Sequence, residues 1–382
     1  MATRIRSFSK INLGLAIGPV REDGFHELAT LYQTIAAYDE VTVAAEPLRM
    51  GGPNQIVLSS NDRRVPLDGR NTVWKMLERT LGLTPFRERG WAVRVHIQKH
   101  LPMQGGLGAG SANAAAALIA LERESGLTMP GAVRLRVAAA VGSDVPLFLI
   151  GGAVLGLGRG EQVYPMPDLA AESESPGLES IQVVLALPGM GVSTPQAFRD
   201  WDALAAGAAS GPAGGATVEL TPPGTSGRLE ELSRALAAAL SEPQTSSGVL
   251  PAYEREDLAR QPLAALVRTG IRNDFEEVVF RQHPFLGTIK RALVGPDHAS
   301  GGSDSSVGES APELSGHAGG ALYAALSGSG SALFGLYRDA SAAGEAESRL
   351  QAIHVRSLRS RLLSRAAYWR QMHTTEGSGG TD

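Results

Sequence analysis

The chain has 382 residues, of which 43% are hydrophobic and 19% charged, a balance that supports well-filled globular cores and enough length for two domains. A formal charge of −4 excludes binding to nucleic acid or an anionic membrane through bulk charge, and the absence of cysteine excludes disulfides, thiolate nucleophiles and Cys-ligated zinc together. These features fit a cytoplasmic protein with neither nucleic acid nor a membrane among its partners.

Residues 4 to 17 read as an extended segment: the apolar run after Arg4, Arg6 and Lys10 is broken by Asn12, and no small-residue cleavage site follows to make it a secretory signal. A turn from Pro19 to Gly24 leads into G-F-H-E-L, with Leu28, Leu31 and Ile35 beyond it, and Glu40 to Ala45 and Gln55 to Ser59 are the next two strand candidates. Val73, Met76, Leu77 and Leu81 recur at helical spacing over Asn71 to Leu81, whereas Trp91, Val93, Val95 and Ile97 alternate with polar neighbours as a half-buried strand does. A glycine-dense loop follows that strand and opens a helix from about Ser111 to Ser125. A second helix spans Pro130 to Val141 with proline at its first turn.

The stretch from Val137 to Gly158 is nearly uncharged, but Asp144, Pro146 and several glycines interrupt it, so it reads as a helix end, a turn and a strand rather than a membrane span. That strand closes a first domain over residues 1–165, and a strand from Ile181 to Leu187 opens a second over 166–372. Low-complexity surface insertions are expected near 203–226, 242–250 and 297–320, with a helical stretch at 227–241 between the first two and a flexible tail at 373–382. R-N-D-F-E-E-V-V-F, a second glycine-rich turn L-S-G-S-G-S-A-L-F leading into a strand, and a basic helical or strand–helix ending from Leu350 to Gln371 complete the order. Strands and helices do not alternate regularly, which argues for an α+β fold rather than a doubly wound parallel sheet.

The strongest chemical signal is the strand–glycine loop–helix order around residues 99–124. Gly105, Gly106, Gly108 and Gly110 let backbone approach a ligand closely, and the first amides of the helix have no intrahelical partner, so the junction suits a phosphate. Neither G-x-x-x-x-G-K-[ST] nor a dinucleotide-binding G-x-G-x-x-G unit is met, so a different phosphate loop is required. Asp144, in apolar sequence after a helix, reads equally as a turn cap and as a proton acceptor held ionised by a nearby ammonium. Lys10 is the candidate ammonium, in a chain with only four lysines, and Ser111 is a helix cap, a phosphate contact or both. A phosphate-binding helix terminus, a lysine and an aspartate base together meet the needs of phosphoryl transfer to an alcohol. His26 is either a plain loop histidine or a partner for a planar ligand, and the scattered histidines offer no metal framework.

The ordered motifs S-K-I-N, D-G-F-H-E-L, P-M-Q-G-G-L-G-A-G-S-A-N-A-A, G-S-D-V-P-L-F-L, G-R-G-E, R-N-D-F-E and L-S-G-S-G-S-A-L-F run from about residue 4 to 340. In this order they resemble the GHMP kinase superfamily, and within it the branch acting on a cytidine-diphosphate-linked methylerythritol. The resemblance implies a two-domain α+β fold: an N-terminal domain of the ribosomal-protein-S5 second-domain type, a C-terminal ferredoxin-like domain, and a cleft between them. It implies ATP-dependent phosphorylation of the substrate's 2-hydroxyl by a monomer or homodimer, with Mg²⁺ carried mainly by the phosphates and no protein metal ligand assigned. Lys10 and Asp144 would be catalytic. Pro102, Met103, Gln104, Gly105, Gly106, Leu107, Gly108, Ala109, Gly110, Ser111 and Ala112 would form the ATP loop, with Asn71 and Lys99 near the nucleotide. His26 and Phe198 would stack the cytosine, with Phe25, Asn12 and Thr194 as neighbours. The chain departs from the commonest pattern at Gln104 and Ala109, which replace glycines, at Ala112, which replaces a serine, and at Phe25, which replaces a tyrosine. The competing readings are a sibling kinase acting on homoserine, mevalonate or a sugar, and a non-catalytic nucleotide sensor.

Overall fold

The computed structural model describes residues 2–48, 52–103, 105–169, 181–209, 232, 263, 266–267, 270–295 and 320–373. Two long strands, β1 (Thr3–Val20) and β2 (His26–Pro47), pair antiparallel across a turn at residues 21–25. The two segments read separately at Leu28–Ile35 and Glu40–Ala45 are thus one strand. Polar residues along it face inward: Gln33 Nε2 donates to the Leu363 carbonyl at 2.7 Å, and Thr34 Oγ1 accepts the Gly152 amide at 2.9 Å. Register shifts at Phe8/Ser9, Asn12/Gly14 and Ile17/Val20 bend the ribbon, and the middle one lies two residues beyond Lys10.

The length of β2 lets it serve several neighbours. Glu40–Pro47 pairs with β4 (Trp91–Gln98), and Thr30–Gln33 pairs with β5 (Ala153–Leu157). With β3 (Gln55–Ser60) and β6 (Gln162–Pro165) at the edges, the order of the six-stranded sheet is β3-β4-β2-β5-β6, and β1 pairs with β2 off that path. The helices α1 (Thr72–Leu81), α2 (Ala109–Ser125) and α3 (Gly131–Val141) share the core of this sheet. Ala112, Ala114 to Ala117 and Ala120 of α2 are all buried, and such small side chains let the helix axis approach β1 and β2 closely. The helix begins at Ala109 rather than near Ser111, because left-handed Gly108 supplies its N-cap.

A second sheet holds β7 (Gln182–Leu187), β8 (Tyr323–Leu326), β9 (Leu333–Tyr337) and β10 (Arg356–Arg361) in the antiparallel order β10-β7-β9-β8. The helices α4 (Thr194–Ala209), α5 (Phe275–Gln282) and α6 (Pro284–Val294) lie between β7 and β8 in the chain, and α7 (Ala340–Ala352) lies between β9 and β10. This is the split β-α-β arrangement of a ferredoxin-like unit. Residues 203–209, expected to begin a surface insertion, instead continue α4. The rest of that insertion, the helix expected at 227–241 apart from buried Leu232, and the segments 242–250, 297–319 and 374–382 lie outside the described residues.

Although it follows the second sheet in sequence, the helix α8 (Arg365–Met372) packs on the first. Tyr368 is buried there, its hydroxyl donates to the Phe148 carbonyl at 2.6 Å, and Trp369 Nε1 donates to Ile150 O at 2.9 Å. Among the described residues no helix is long and apolar enough to cross a membrane. Tyr368→Ala is expected to destabilise the protein by about 3–5 kcal/mol, the usual cost of deleting a buried aromatic ring, read as a lower urea midpoint.

Candidate active site

The expected phosphate loop stands at the N-terminus of α2 in a geometry only glycine permits. Gly106 has φ +74° and Gly108 φ +67°, and a Cβ at Gly106 would lie 1.9 Å from the Ser327 carbonyl oxygen. That close approach docks a second glycine turn, residues 327–332 between β8 and β9, onto the first. Ala332 N donates to Gly105 O at 3.1 Å and Ser327 Oγ donates to Gly106 O at 3.0 Å. Asn273 holds the second turn from behind, its amide donating to Leu326 O at 2.9 Å and Gly328 O at 2.7 Å. The first backbone bond of α2 runs from Ala112 N to Gly108 O, so the amides of Ala109, Gly110 and Ser111 precede the helical ladder.

A cleft of about 350 Å³ opens before these amides. It is lined by Pro102, Met103, Gly105, Gly106, Leu107, Gly108, Ala109, Gly110 and Ser111, and also by Asn71, Lys99, Val65, Pro66 and Asn113. Ala112 is buried behind the loop rather than lining the cleft, and Gln104 lies outside the described residues. Asn71 caps α1: its Oδ1 accepts Val73 N at 2.9 Å and its Nδ2 donates to Pro66 O at 2.7 Å. The Lys99 ammonium forms a buried ion pair with Asp39, which also accepts the amides of His100 and Leu101 at 2.8 and 2.9 Å and Asn113 Nδ2 at 3.1 Å. Lys99 therefore lines the cleft while its charge is committed to Asp39 on β2. Asp39 is a positioning residue that sequence reasoning missed, since nothing local separates it from neighbouring Glu40.

Lys10 and Asp144 meet. Lys10 Nζ forms an ion pair with Asp144 Oδ2 across 3.3 Å, and it donates to Asn12 Oδ1 (2.6 Å) and Gly106 O (2.7 Å). The lysine side chain is 3% exposed and that of Asp144 30%, so the ammonium sits inside while the carboxylate is open to solvent. Asn12 is oriented in turn by Thr30: Asn12 Nδ2 donates to Thr30 Oγ1, and that hydroxyl donates to Gly14 O, both at 2.8 Å. Tyr32 on β2 donates its hydroxyl to Asp144 Oδ1 at 3.1 Å, and its ring lies under Lys10 Nζ, 5.6 Å from centroid to nitrogen. Burial first, then the negative charge of Asp144, pushes the Tyr32 phenol well above its ordinary pKa, so it remains a donor.

The structure also brings His26 and Phe198 together, as a stacked pair rather than as two sides of a slot. Their ring centroids are 5.0 Å apart at an interplanar angle of 8°, too close for a base to lie between them. His26 Nδ1 faces Gly18 O at 3.0 Å, and Nε2 faces Asp202 Oδ1 at 3.1 Å. Phe25 is exposed beside them, with the Arg159 guanidinium 5.0 Å above its ring. Thr194 Oγ1 lies 2.6 Å from Ser329 Oγ, which ties the start of α4 to the second glycine turn.

Known proteins share this organisation. Residues 71–152 match the GHMP kinases N terminal domain. The chain is 33% identical over 339 residues to a 4-diphosphocytidyl-2-C-methyl-D-erythritol kinase of Solibacter usitatus, spanning 88% of this chain and 82% of that relative. Among solved structures it resembles a 4-(cytidine 5'-diphospho)-2C-methyl-D-erythritol kinase, with TM-score 0.57 at 24% identity over 94% of this chain and 98% of the other. It also resembles the homoserine kinase of Cytophaga hutchinsonii, with TM-score 0.59 at 18% identity over 95% of each. At those identities the two structures establish the fold alone, the two-domain α+β fold of a GHMP-type kinase. Within that class, the extent and identity of the Solibacter match show that the chain belongs to the 4-diphosphocytidyl-2-C-methyl-D-erythritol kinase family.

Gly106→Ala is expected to cost about 1–3 kcal/mol in backbone strain alone. The loss should appear as a lower melting temperature and weaker binding of a fluorescent ATP analogue, because the second glycine turn loses its seat.

Proposed function

We propose that the protein transfers the γ-phosphoryl group of ATP to the 2-hydroxyl of 4-diphosphocytidyl-2-C-methyl-D-erythritol, a step of the non-mevalonate route to isopentenyl diphosphate, in the cytoplasm. The observation that carries the reading is the Lys10–Asp144 pair beside the free amides of α2. Asp144 accepts the hydroxyl proton as the substrate oxygen bonds to the γ-phosphorus and the bond to the β-phosphate oxygen breaks, releasing ADP. Lys10, held by hydrogen bonds to Asn12 and Gly106 and paired with Asp144, places positive charge where negative charge builds up. The amides of Ala109 to Ser111 cradle the phosphates, and the cleft from Asn71 to Met103 takes the rest of the nucleotide.

Magnesium belongs to this proposal as a partner of ATP. Its charge is proposed to be carried mainly by the phosphate oxygens, with no protein ligand assigned. The bound metal would neutralise charge on the transferring group.

His26, Phe198 and Phe25 form the aromatic surface proposed to receive the cytosine, with Asp202 or the Phe198 ring giving way to it. A sibling kinase acting on homoserine is the second reading, since that neighbour's fold matches as well as the cytidine kinase's. A small amino acid gives those rings no purpose, and retention of both Lys10 and Asp144 argues against a mere nucleotide sensor. The test is coupled ADP release with the cytidine-linked substrate against homoserine, mevalonate and sugars. Saturable turnover only with the cytidine compound is expected, and saturation by a simple alcohol instead would overturn the assignment. Asp144→Asn should lower kcat by about 10²- to 10⁴-fold, the usual effect of losing a general base.

A further inference from the structure

The assignment of Asp144 as the base leaves one buried titratable group without a role. Tyr32 is 2% exposed, and its hydroxyl is aimed at the carboxylate. Its surroundings are cut to admit it. A Cβ at Gly156, on the adjacent strand β5, would lie 2.5 Å from the Tyr32 ring, and a Cβ at Gly160 would lie 2.4 Å from the hydroxyl oxygen itself. The next Tyr32 atom is 3.7 Å from the Gly160 position, so the room left by that glycine is room for the hydroxyl and not for the ring.

We propose that Tyr32 is a positioning residue for phosphoryl transfer, holding the Asp144 carboxylate in the orientation in which it accepts the substrate proton; the proposal rests on the reading of Asp144 as the base. A carboxylate can rotate about its last side-chain bond and present either oxygen. Here Oδ1 accepts the Tyr32 hydroxyl at 3.1 Å and Oδ2 is ion-paired with the Lys10 ammonium across 3.3 Å, so the hydrogen bond from β2 adds direction to the charge that draws the group toward β1. The raised pKa of the phenol keeps its proton in place across the working range. With the hydroxyl gone, Lys10 remains as a single anchor around which the carboxylate turns. Substrate binding is untouched, but the fraction of bound complexes with an oxygen correctly placed falls.

The test is Tyr32→Phe, which removes one oxygen and keeps the ring. Expected is a fall in kcat of about 10- to 100-fold, the scale of a small misplacement of a reacting group. The KM values for ATP and for the cytidine-linked substrate should stay within about twofold, and the melting temperature should not change. A kcat for Tyr32→Phe within twofold of the parent would overturn the proposal. So would a rise in KM for the cytidine-linked substrate at constant kcat, which would mean that the hydroxyl touches substrate instead. Asp144→Asn measured in parallel separates the two levels. Loss there with normal turnover in Tyr32→Phe rejects only the role of the tyrosine, whereas normal turnover in both rejects the base assignment beneath it.

Discussion

A buried ammonium ion organises this molecule. Lys10 is almost wholly withdrawn from water, and a charge in that position persists only where its hydrogens are all met. Its two acceptors and its counter-charge come from three places: Asn12 on the same strand, Gly106 in the loop that opens α2, and Asp144 in the turn after α3. Satisfying one side chain therefore fixes the loop, the carboxylate and the strand relative to each other. The absence of a side chain at Gly108 follows from the same demand, since a Cβ there would lie 3.1 Å from the Lys10 stem and 3.0 Å from Phe148.

Around this ion the fold supplies two layers of support. One is a buried polar relay within the first sheet, in which Thr30 orients Asn12 and Asp39 gathers Lys99, Asn113 and two amides at the foot of the loop. Removing one partner of a buried ion pair such as Lys99–Asp39 costs about 3–5 kcal/mol, because a lone charge is left behind. The other layer comes from the second sheet, whose glycine turn seats on Gly105 and Gly106 and is held by Asn273. Asn273 also forms a bridge with Leu15 on β1, so the residue that holds the second glycine turn also holds the strand that carries Lys10.

Much of this was legible in the sequence, and the residues that escaped share a cause. The alternation of Trp91 to Ile97, the helical spacing of Val73 to Leu81 and the glycine loop between strand and helix are local patterns, and each reappears within two residues of its expected bounds. Asp144 stood out as a carboxylate in apolar sequence and Lys10 as one of only four lysines, and motif resemblance then joined them, since no periodicity links positions so far apart. The full length of β2 was hidden because Gln33, Thr34 and Asp39 break its apolar pattern, and their partners at Leu363, Gly152 and Lys99 are set only by tertiary structure. The His26–Asp202 contact and the pairing of Lys99 away from the nucleotide were unreadable for the same reason.

The return of α8 to the first sheet has a consequence for how the chain comes off the ribosome. The strands and helices of the first sheet are all translated by residue 165, yet their shared core includes Leu363, Tyr368 and Met372. Domains ordinarily consolidate as they emerge, amino-terminal end first. Here the last side chains of that core are supplied only after the whole of the second sheet has been synthesised. The far end of the chain is thereby built into the half that carries Lys10, which a cut before Arg365 would leave with an open seam.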